Sequence, residues 1–181
     1  MNHFPTLPGI SAFTMTLLEN VDLKPYNTFG IKVFSRYFTI LRTTEDAKEL
    51  FTSALFKRVP HLFLGGGSNL LFTKNYEGLI VKVEIKGKEI VAEDEDTVTL
   101  KVGAGENWHA LVMYCVEHNW GGIENLALIP GTAGAAPIQN IGAYGVEIKK
   151  IISSVETVEI SSGMSKIFTN ADCQFGYRES I

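Results

Sequence analysis

Basic clusters and cysteines are scarce in this sequence, and both shortages exclude classes of protein. Lysine and arginine together number 16 against 20 acidic residues, which gives a net charge of −4. Nucleic-acid binding requires a patch or run of basic side chains, so no nucleic-acid partner is expected. The two cysteines, Cys115 and Cys173, are too few for a disulfide scaffold and lack the spacing of metal ligands. We therefore expect no metal site and two reduced thiols in a cytoplasmic protein.

Charge is also missing from residues 125–146, a stretch long enough to suggest a membrane span. Pro130, Pro137 and several glycines interrupt it and would leave backbone groups unsatisfied in lipid. The N-terminus shows no basic segment followed by an apolar one, so no signal peptide is predicted. With 45% hydrophobic and 20% charged residues, the composition is that of a soluble globular protein. We expect a buried irregular loop at 125–146 and no membrane segment.

Hydrophobic periodicity predicts helices and strands in mixed order, which is typical of an α+β fold. One helix is expected from a Thr43 cap to Arg58, and a second from about Asn107 to His118. Strands are expected at residues 61–64, 78–85 and 97–102, followed by a hairpin formed by residues 154–160 and 166–168.

The same pattern predicts the domain organisation. Residues 1–20 carry no clear period and are interpreted as an N-terminal extension. Residues 21–86 form one predicted subdomain, and residues 87–181 form a second that is expected to be incomplete.

A glycine-rich turn, GGGSN, follows the predicted strand 61–64. Without Cβ atoms, successive backbone N–H groups can point into one concavity and bind an anion such as phosphate. A plain tight turn explains three glycines equally well. The residues in question are Gly65, Gly66, Gly67, Ser68 and Asn69.

The uncharged stretch PGTAGAAPIQNIGAYG holds four glycines and four alanines. Small side chains permit close approach to the backbone, and Gln139 and Asn140 supply amide groups. Neither a P-loop nor a Rossmann fingerprint is present, so the stretch suits a large ligand bound in another way. The alternative is a core turn in which the small residues only pack tightly. Gly66→Val and Gly134→Val are expected to weaken ligand binding more than they lower apo-protein stability.

Four motifs in fixed order, GGGSN-LLF, VGAGENWHALV, ENLALIPGTAGAAPIQNIGAYG and FGYRES, resemble the UDP-N-acetylenolpyruvoylglucosamine reductase (MurB) family. The resemblance runs from about Leu23 to the last residue. It implies an α+β, two-subdomain FAD-binding fold of the PCMH type, not a Rossmann fold, with FAD held between the subdomains. This chain would be truncated before the substrate domain.

The resemblance also implies which residues bind the cofactor. Gly65, Gly66, Gly67, Ser68 and Asn69 match the loop that wraps the FAD diphosphate. A second set lines the other side of FAD, and Tyr177 lies near the flavin. Many relatives have Gly or Ser where this chain has Ala135 and Ala136. The second set is Ile129, Gly131, Ala135, Ala136, Ile138, Asn140, Gly142 and Ala143.

The implied reaction converts UDP-N-acetylglucosamine enolpyruvate to UDP-N-acetylmuramate in peptidoglycan synthesis, with NADPH as hydride donor and noncovalent FAD as carrier. Arg178 of FGYRES matches the arginine that stabilises charge on the enolpyruvyl carboxylate. The alternative for Arg178 is a surface ion pair with Glu179.

The family's proton-donating serine and second catalytic acid lie downstream of its FGYRES motif, whereas this chain ends three residues after Arg178. We therefore expect the chain alone to be inactive. Two alternatives stay open, a non-catalytic flavin-binding module and a flavin oxidase of the same superfamily. Many such oxidases attach the flavin through His or Cys near the glycine loop, and GGGSN contains neither.

Overall fold

A computed structural model describes residues 15–181 of the chain. These residues form two compact units, one of residues 15–83 with Val158–Met164 and one of Glu84–Thr157 with Ser165–Ile181. Residues 1–14 of the predicted extension lie outside the described residues, and the extension's last residues, from Leu18, belong to a strand. A compact unit need not fold independently of the rest of the chain. The predicted subdomain bounds, 21–86 and 87–181, therefore stay a prediction.

The first unit is built on a four-stranded mixed sheet. Its strands are β1 (Leu18–Asp22), β2 (Phe34–Leu41), β3 (His61–Leu64) and β4 (Tyr76–Val83), in the spatial order β1-β2-β4-β3. Its two inner strands pair in parallel, and Phe38, Ile80 and Val81 on them are fully buried. The apolar run of β4 follows from this position, since a strand covered on both faces reads as continuous hydrophobic sequence.

Two helices, α1 (Thr44–Thr52) and α2 (Ala54–Arg58), connect β2 to β3. Thr43 begins α1 with a capping box, since its Oγ1 accepts from Asp46 N at 3.1 Å and Asp46 Oδ2 accepts from Thr43 N at 2.9 Å. The prediction of one helix to Arg58 is wrong. Ser53 is extended, with ψ of 150°, and its side chain caps the second helix.

The second unit packs its core around α3 (Trp108–Glu117), whose Asn107 cap accepts from Ala110 N at 2.9 Å. Trp108 Nε1 donates to Leu126 O at 2.8 Å, so the ring is buried without an unpaired donor. Three two-stranded sheets also belong to this unit, except for Val158 at the end of one strand. They are formed by β5 (Lys88–Glu93) with β6 (Val98–Val102), β7 (Gly142–Ala143) with β8 (Val146–Glu147), and β9 (Ser154–Val158) with β10 (Ser165–Thr169).

The chain combines a few short helices with sheets that are not built from regular β-α-β repeats, so the fold is α+β, as predicted. Over residues 15–181, no helix has both the length and the apolar character needed to cross a membrane. The same residues hold no cluster of three or more His, Cys, Asp or Glu side chains able to bind a metal ion. Cys115 and Cys173 are free and buried, and burial raises the pKa of both thiols.

Candidate functional site

The glycine loop of the first unit, residues 65–69, follows β3. Contacts with the backbone of other residues hold it at Gly67. Gly67 has φ of +68°, and a Cβ atom there would lie 2.0 Å from Tyr26 O. Its carbonyl accepts from Thr28 N at 3.1 Å, and the ammonium of Lys82 donates to Gly65 O. Glycine at position 67 is therefore required by the fold, whatever the loop binds.

Backbone donors of this loop also lack acceptors among the described residues. Within residues 15–181, the amides of residues 66–69 donate to no protein acceptor, and Gly66 and Asn69 are exposed. Successive unpaired amides after a strand fit the oxygen atoms of a diphosphate. These donors are compatible with the phosphate-binding role that the resemblance implies for the loop.

The small-residue loop of the second unit, residues 130–145, is hydrogen-bonded in its first part to the segment before α3. Gly134 N donates to Ala104 O at 2.9 Å, and Ala133 N donates to Glu106 O at 2.9 Å. A Cβ atom at Gly134 would lie 2.6 Å from Ala104 Cβ. The expectation that Gly134 is small to admit a ligand is therefore corrected, because protein already occupies that space. Ala136 is likewise buried in the core around α3.

The later part of the loop presents large side chains to solvent. Ile138 is 66% exposed and Tyr144 is 89% exposed. Tyr144 has φ of +49° in the two-residue turn between β7 and β8, a conformation unusual for a bulky residue. Asn-Gly is the usual pair in such a turn, whereas this chain has Tyr-Gly.

Asn140 is fully buried, and its side-chain amide bonds entirely to protein. Nδ2 donates to Gly176 O at 2.7 Å and to Glu147 Oε1 at 3.4 Å, and Oδ1 accepts from Lys149 N at 3.2 Å. The side chain that the sequence assigned to the cofactor thus links the loop to the FGYRES motif.

Arg178 lies at the tip of a turn closed by Gly176 N donating to Glu179 O at 3.0 Å. Its φ is +60°, and its Nη2 donates to Gly142 O at 2.6 Å. Among the described residues, Arg178 forms no ion pair with Glu179. The Glu179 side chain lies over Gly176 instead. The surface ion-pair alternative is therefore wrong. Tyr177, beside it, is 84% exposed.

Glu147 places a carboxylate close to Arg178 in this part of the second unit. A hydrogen bond from Lys149, at 2.8 Å, lowers the pKa of Glu147, and the positive charges of Lys149, Arg178 and Lys150 lower it further against partial desolvation. The carboxylate is thus ionised at neutral pH. The three cations Lys149, Lys150 and Arg178 outnumber the two carboxylates of Glu147 and Glu179 here, which suits an anionic ligand.

A comparison with known families decides the cofactor. The FAD binding domain family matches residues 35–168, which is most of the chain. The chain belongs to this FAD-binding family. FAD, the cofactor that the resemblance implies, is therefore confirmed at the level of the family.

Curated relatives agree over the whole matched region. The chain is 48% identical to the UDP-N-acetylenolpyruvoylglucosamine reductase of Amoebophilus asiaticus, over 92% of this chain and 49% of that protein. It is 46% identical to the reductase of the same name from Chromobacterium violaceum, over 93% of this chain and 50% of that protein. The chain thus spans about half the length of the curated relatives that it matches. The recognition made from the four motifs is confirmed.

Solved structures confirm the fold. The MurB reductase of Thermus caldophilus matches with a TM-score of 0.71 and 26% identity, over 92% of this chain and 57% of that one. Physcomitrella patens BBE-like 1 matches with a TM-score of 0.56 and 17% identity, over 86% of this chain and 36% of that one. The FAD-binding family has the α+β fold of the PCMH type in this chain too, as predicted.

Proposed function

We propose that this chain is the FAD-binding portion of an NADPH-dependent reductase that converts UDP-N-acetylglucosamine enolpyruvate to UDP-N-acetylmuramate in cytoplasmic peptidoglycan synthesis. The observation that carries the proposal is Arg178, an exposed guanidinium held against Gly142 O in a chain of the FAD-binding family. The identity of 48% to a reductase of this name supports it.

The glycine loop binds the FAD diphosphate in this proposal. The amides of residues 66–69, which have no acceptor within residues 15–181, donate to phosphate oxygens, and the side chains of Ser68 and Asn69 add donors. Gly65 and Gly67 hold the loop through their contacts with Lys82 and Thr28. The binding is noncovalent, because the loop offers neither His nor Cys.

The small-residue loop binds the flavin part of FAD. When bound, FAD supplies hydride transfer, accepting hydride from NADPH and delivering it to the enolpyruvyl group. Ala136 and Asn140 act from the core, where they shape the loop without touching the ring. The residues proposed to touch the cofactor here are Ile129, Gly131, Ala135, Ile138, Gly142, Ala143 and Tyr177.

Arg178 binds the carboxylate of the enolpyruvyl group. The bond to Gly142 O uses one N–H of the guanidinium, and the rest of the planar fork can pair with a carboxylate in bidentate fashion. Negative charge builds on that carboxylate as hydride adds to the neighbouring double bond. A fixed cation therefore stabilises the transition state more than the ground state.

Release of the flavin by acid tests the cofactor and separates the alternatives. The purified protein, reconstituted with FAD, is precipitated with acid, and flavin absorbance is measured in the supernatant and in the pellet. We expect all of the flavin in the supernatant. Flavin retained by the pellet favours the oxidase alternative.

Activity needs a separate test in a full-length reductase that carries this segment. We expect NADPH to reduce the flavin and the enolpyruvyl substrate to reoxidise it. Failure of the substrate to reoxidise the reduced flavin, with FAD bound, favours the non-catalytic alternative and overturns the proposed reaction.

A further inference from the structure

Three side-chain hydrogen bonds join the small-residue loop to the FGYRES motif. Alternate residues of the loop take part, and each bonds to a different residue of the motif. Asn140 Nδ2 donates to Gly176 O at 2.7 Å, Arg178 Nη2 to Gly142 O at 2.6 Å, and Ser180 Oγ to Ile138 O at 3.2 Å.

Asn140 differs from the other two donors in its burial. It is fully buried, whereas Arg178 is exposed. Its φ of +38° is one that asparagine tolerates better than most side chains. Both of its N–H groups and its oxygen have protein partners, so the side chain has no polar group left for a ligand.

The bond from Asn140 reaches the first residue of the turn that carries Arg178. The turn closes through Gly176 N, which donates to Glu179 O at 3.0 Å, and the Glu179 side chain lies over Gly176. Gly176 is thus bonded to Asn140 through its carbonyl and to Glu179 through its amide, so a displacement of Gly176 would strain the bond that closes the turn. Since Arg178 is exposed, the position of its guanidinium depends on where this turn is held.

We propose that Asn140 is a positioning residue for Arg178: it holds the turn through Gly176 and thereby sets where the guanidinium meets the substrate carboxylate. This inference rests on the proposed function of Arg178. Displacement of a catalytic group by about 1 Å can cost a hundredfold in rate. Loss of the Asn140 side chain should therefore slow the substrate step while FAD stays bound.

The test uses a full-length reductase that carries this segment. Asn140→Gly keeps the positive φ and removes both donors, and Asn140→Asp removes the donor to Gly176 while keeping an oxygen for Lys149 N. The control is Asn170→Asp, which loses similar donors to Lys149 O and Ile152 O, both at 2.7 Å, neither of which is a residue of the turn. A folded sample of either Asn140 variant suffices.

The first readout is stopped-flow absorbance of bound flavin. For an Asn140 variant we expect reoxidation by substrate to slow about tenfold to hundredfold, with reduction by NADPH unchanged. Combined with Arg178→Lys, the Asn140 change should cost little more, because both act through one contact. Full additivity of the two losses, or slowing of both steps alike, overturns the inference.

The second readout is hydrogen exchange, which does not depend on activity. The amides of Gly176 and Ile181 close the turn and its return to Cys173, and in an Asn140 variant they should exchange about fivefold faster or more. Asn170→Asp should leave them unchanged. Unchanged exchange in the Asn140 variants overturns the inference. If the exchange result holds while Arg178→Lys slows neither flavin step, the proposed role of Arg178 fails instead.

Discussion

Gly134 and Ala104 are in contact so close that a Cβ atom on Gly134 would lie 2.6 Å from the Cβ atom of Ala104 and 3.0 Å from its carbonyl oxygen. Gly134 N also donates to Ala104 O at 2.9 Å. The small-residue loop is therefore narrow at this point because it packs against another backbone segment. This relationship changes what substitution of the loop glycines should do.

Gly134→Val should destabilise the apo-protein. The added methyl groups force the loop away from Ala104, and such overpacking costs about 1–3 kcal/mol. Urea denaturation of the apo-protein measures the loss. A denaturation midpoint equal to that of the wild type would contradict the contact.

Gly66→Val is the matched substitution in the other loop, where the glycine is exposed and its φ is not positive. We expect apo-protein stability to change by less than about 0.5 kcal/mol, as at most surface positions. FAD affinity should fall more than stability, because the side chain intrudes among the amides of residues 66–69. Fluorescence titration with FAD, beside the urea curve, compares the two effects. Equal losses in both would mean that Gly66 serves the fold alone.

Arg178→Lys should slow the substrate step of the full-length reductase. Lysine keeps the positive charge but loses the planar fork, and a transition-state contact of this kind contributes about 2.7–4 kcal/mol, or roughly a hundredfold to thousandfold in rate. Reduction of bound flavin by NADPH should change much less, since that step builds no charge on the enolpyruvyl carboxylate. Stopped-flow absorbance separates the two steps. Normal rates in both, or equal losses through release of FAD, would remove the catalytic assignment.

Glu106 should make stability depend on pH. A hydrogen bond from Gly87 N at 2.9 Å lowers the pKa of Glu106, as do the charges of Lys88 and Lys86, against partial desolvation. A lowered pKa in the folded state means that the stabilisation is present above about pH 4.3, the ordinary value for glutamate, and is lost as the pH falls through the folded value.

Glu106→Gln keeps an oxygen acceptor for Gly87 N and removes the charge. Urea unfolding between about pH 6 and pH 3 should show a smaller loss of stability on acidification for this variant than for the wild type. Glu95→Gln, at an exposed position of the same unit, is the control and should follow the wild type. A Glu106→Gln curve parallel to the wild type would exclude the linkage.

Thr43→Ala should lower the free energy of unfolding by about 1 kcal/mol, because it removes one half of the capping box of α1. Thr73→Ala, at an exposed site of the same unit, should have almost no effect. Urea denaturation measures both. Equal stability of the two variants would show that Asp46 alone holds the first turn.

Local features of the fold could be predicted from the sequence. The caps at Thr43 and Asn107 and the apolar stripes behind them act within a few residues, so they show in the sequence. The break at Ser53 was missed because Ala, Leu and Phe continue the helical pattern across it. Strand β2 was missed because polar residues such as Ser35, Arg36 and Thr39 interrupt its apolar pattern, although Ser35 and Thr39 are buried in the sheet.

The sequence by itself determined the cofactor class, because four motifs in fixed order match a family that binds FAD. It also marked Arg178 as the residue to suspect. Only the tertiary structure decided what each small or polar residue faces. Gly67 faces Tyr26, Gly134 faces Ala104, and Asn140 reaches Gly176, which lies 36 residues further along the chain. Such contacts depend on how distant segments pack, and a pattern of residue types along the chain holds no information on which backbone comes close to which.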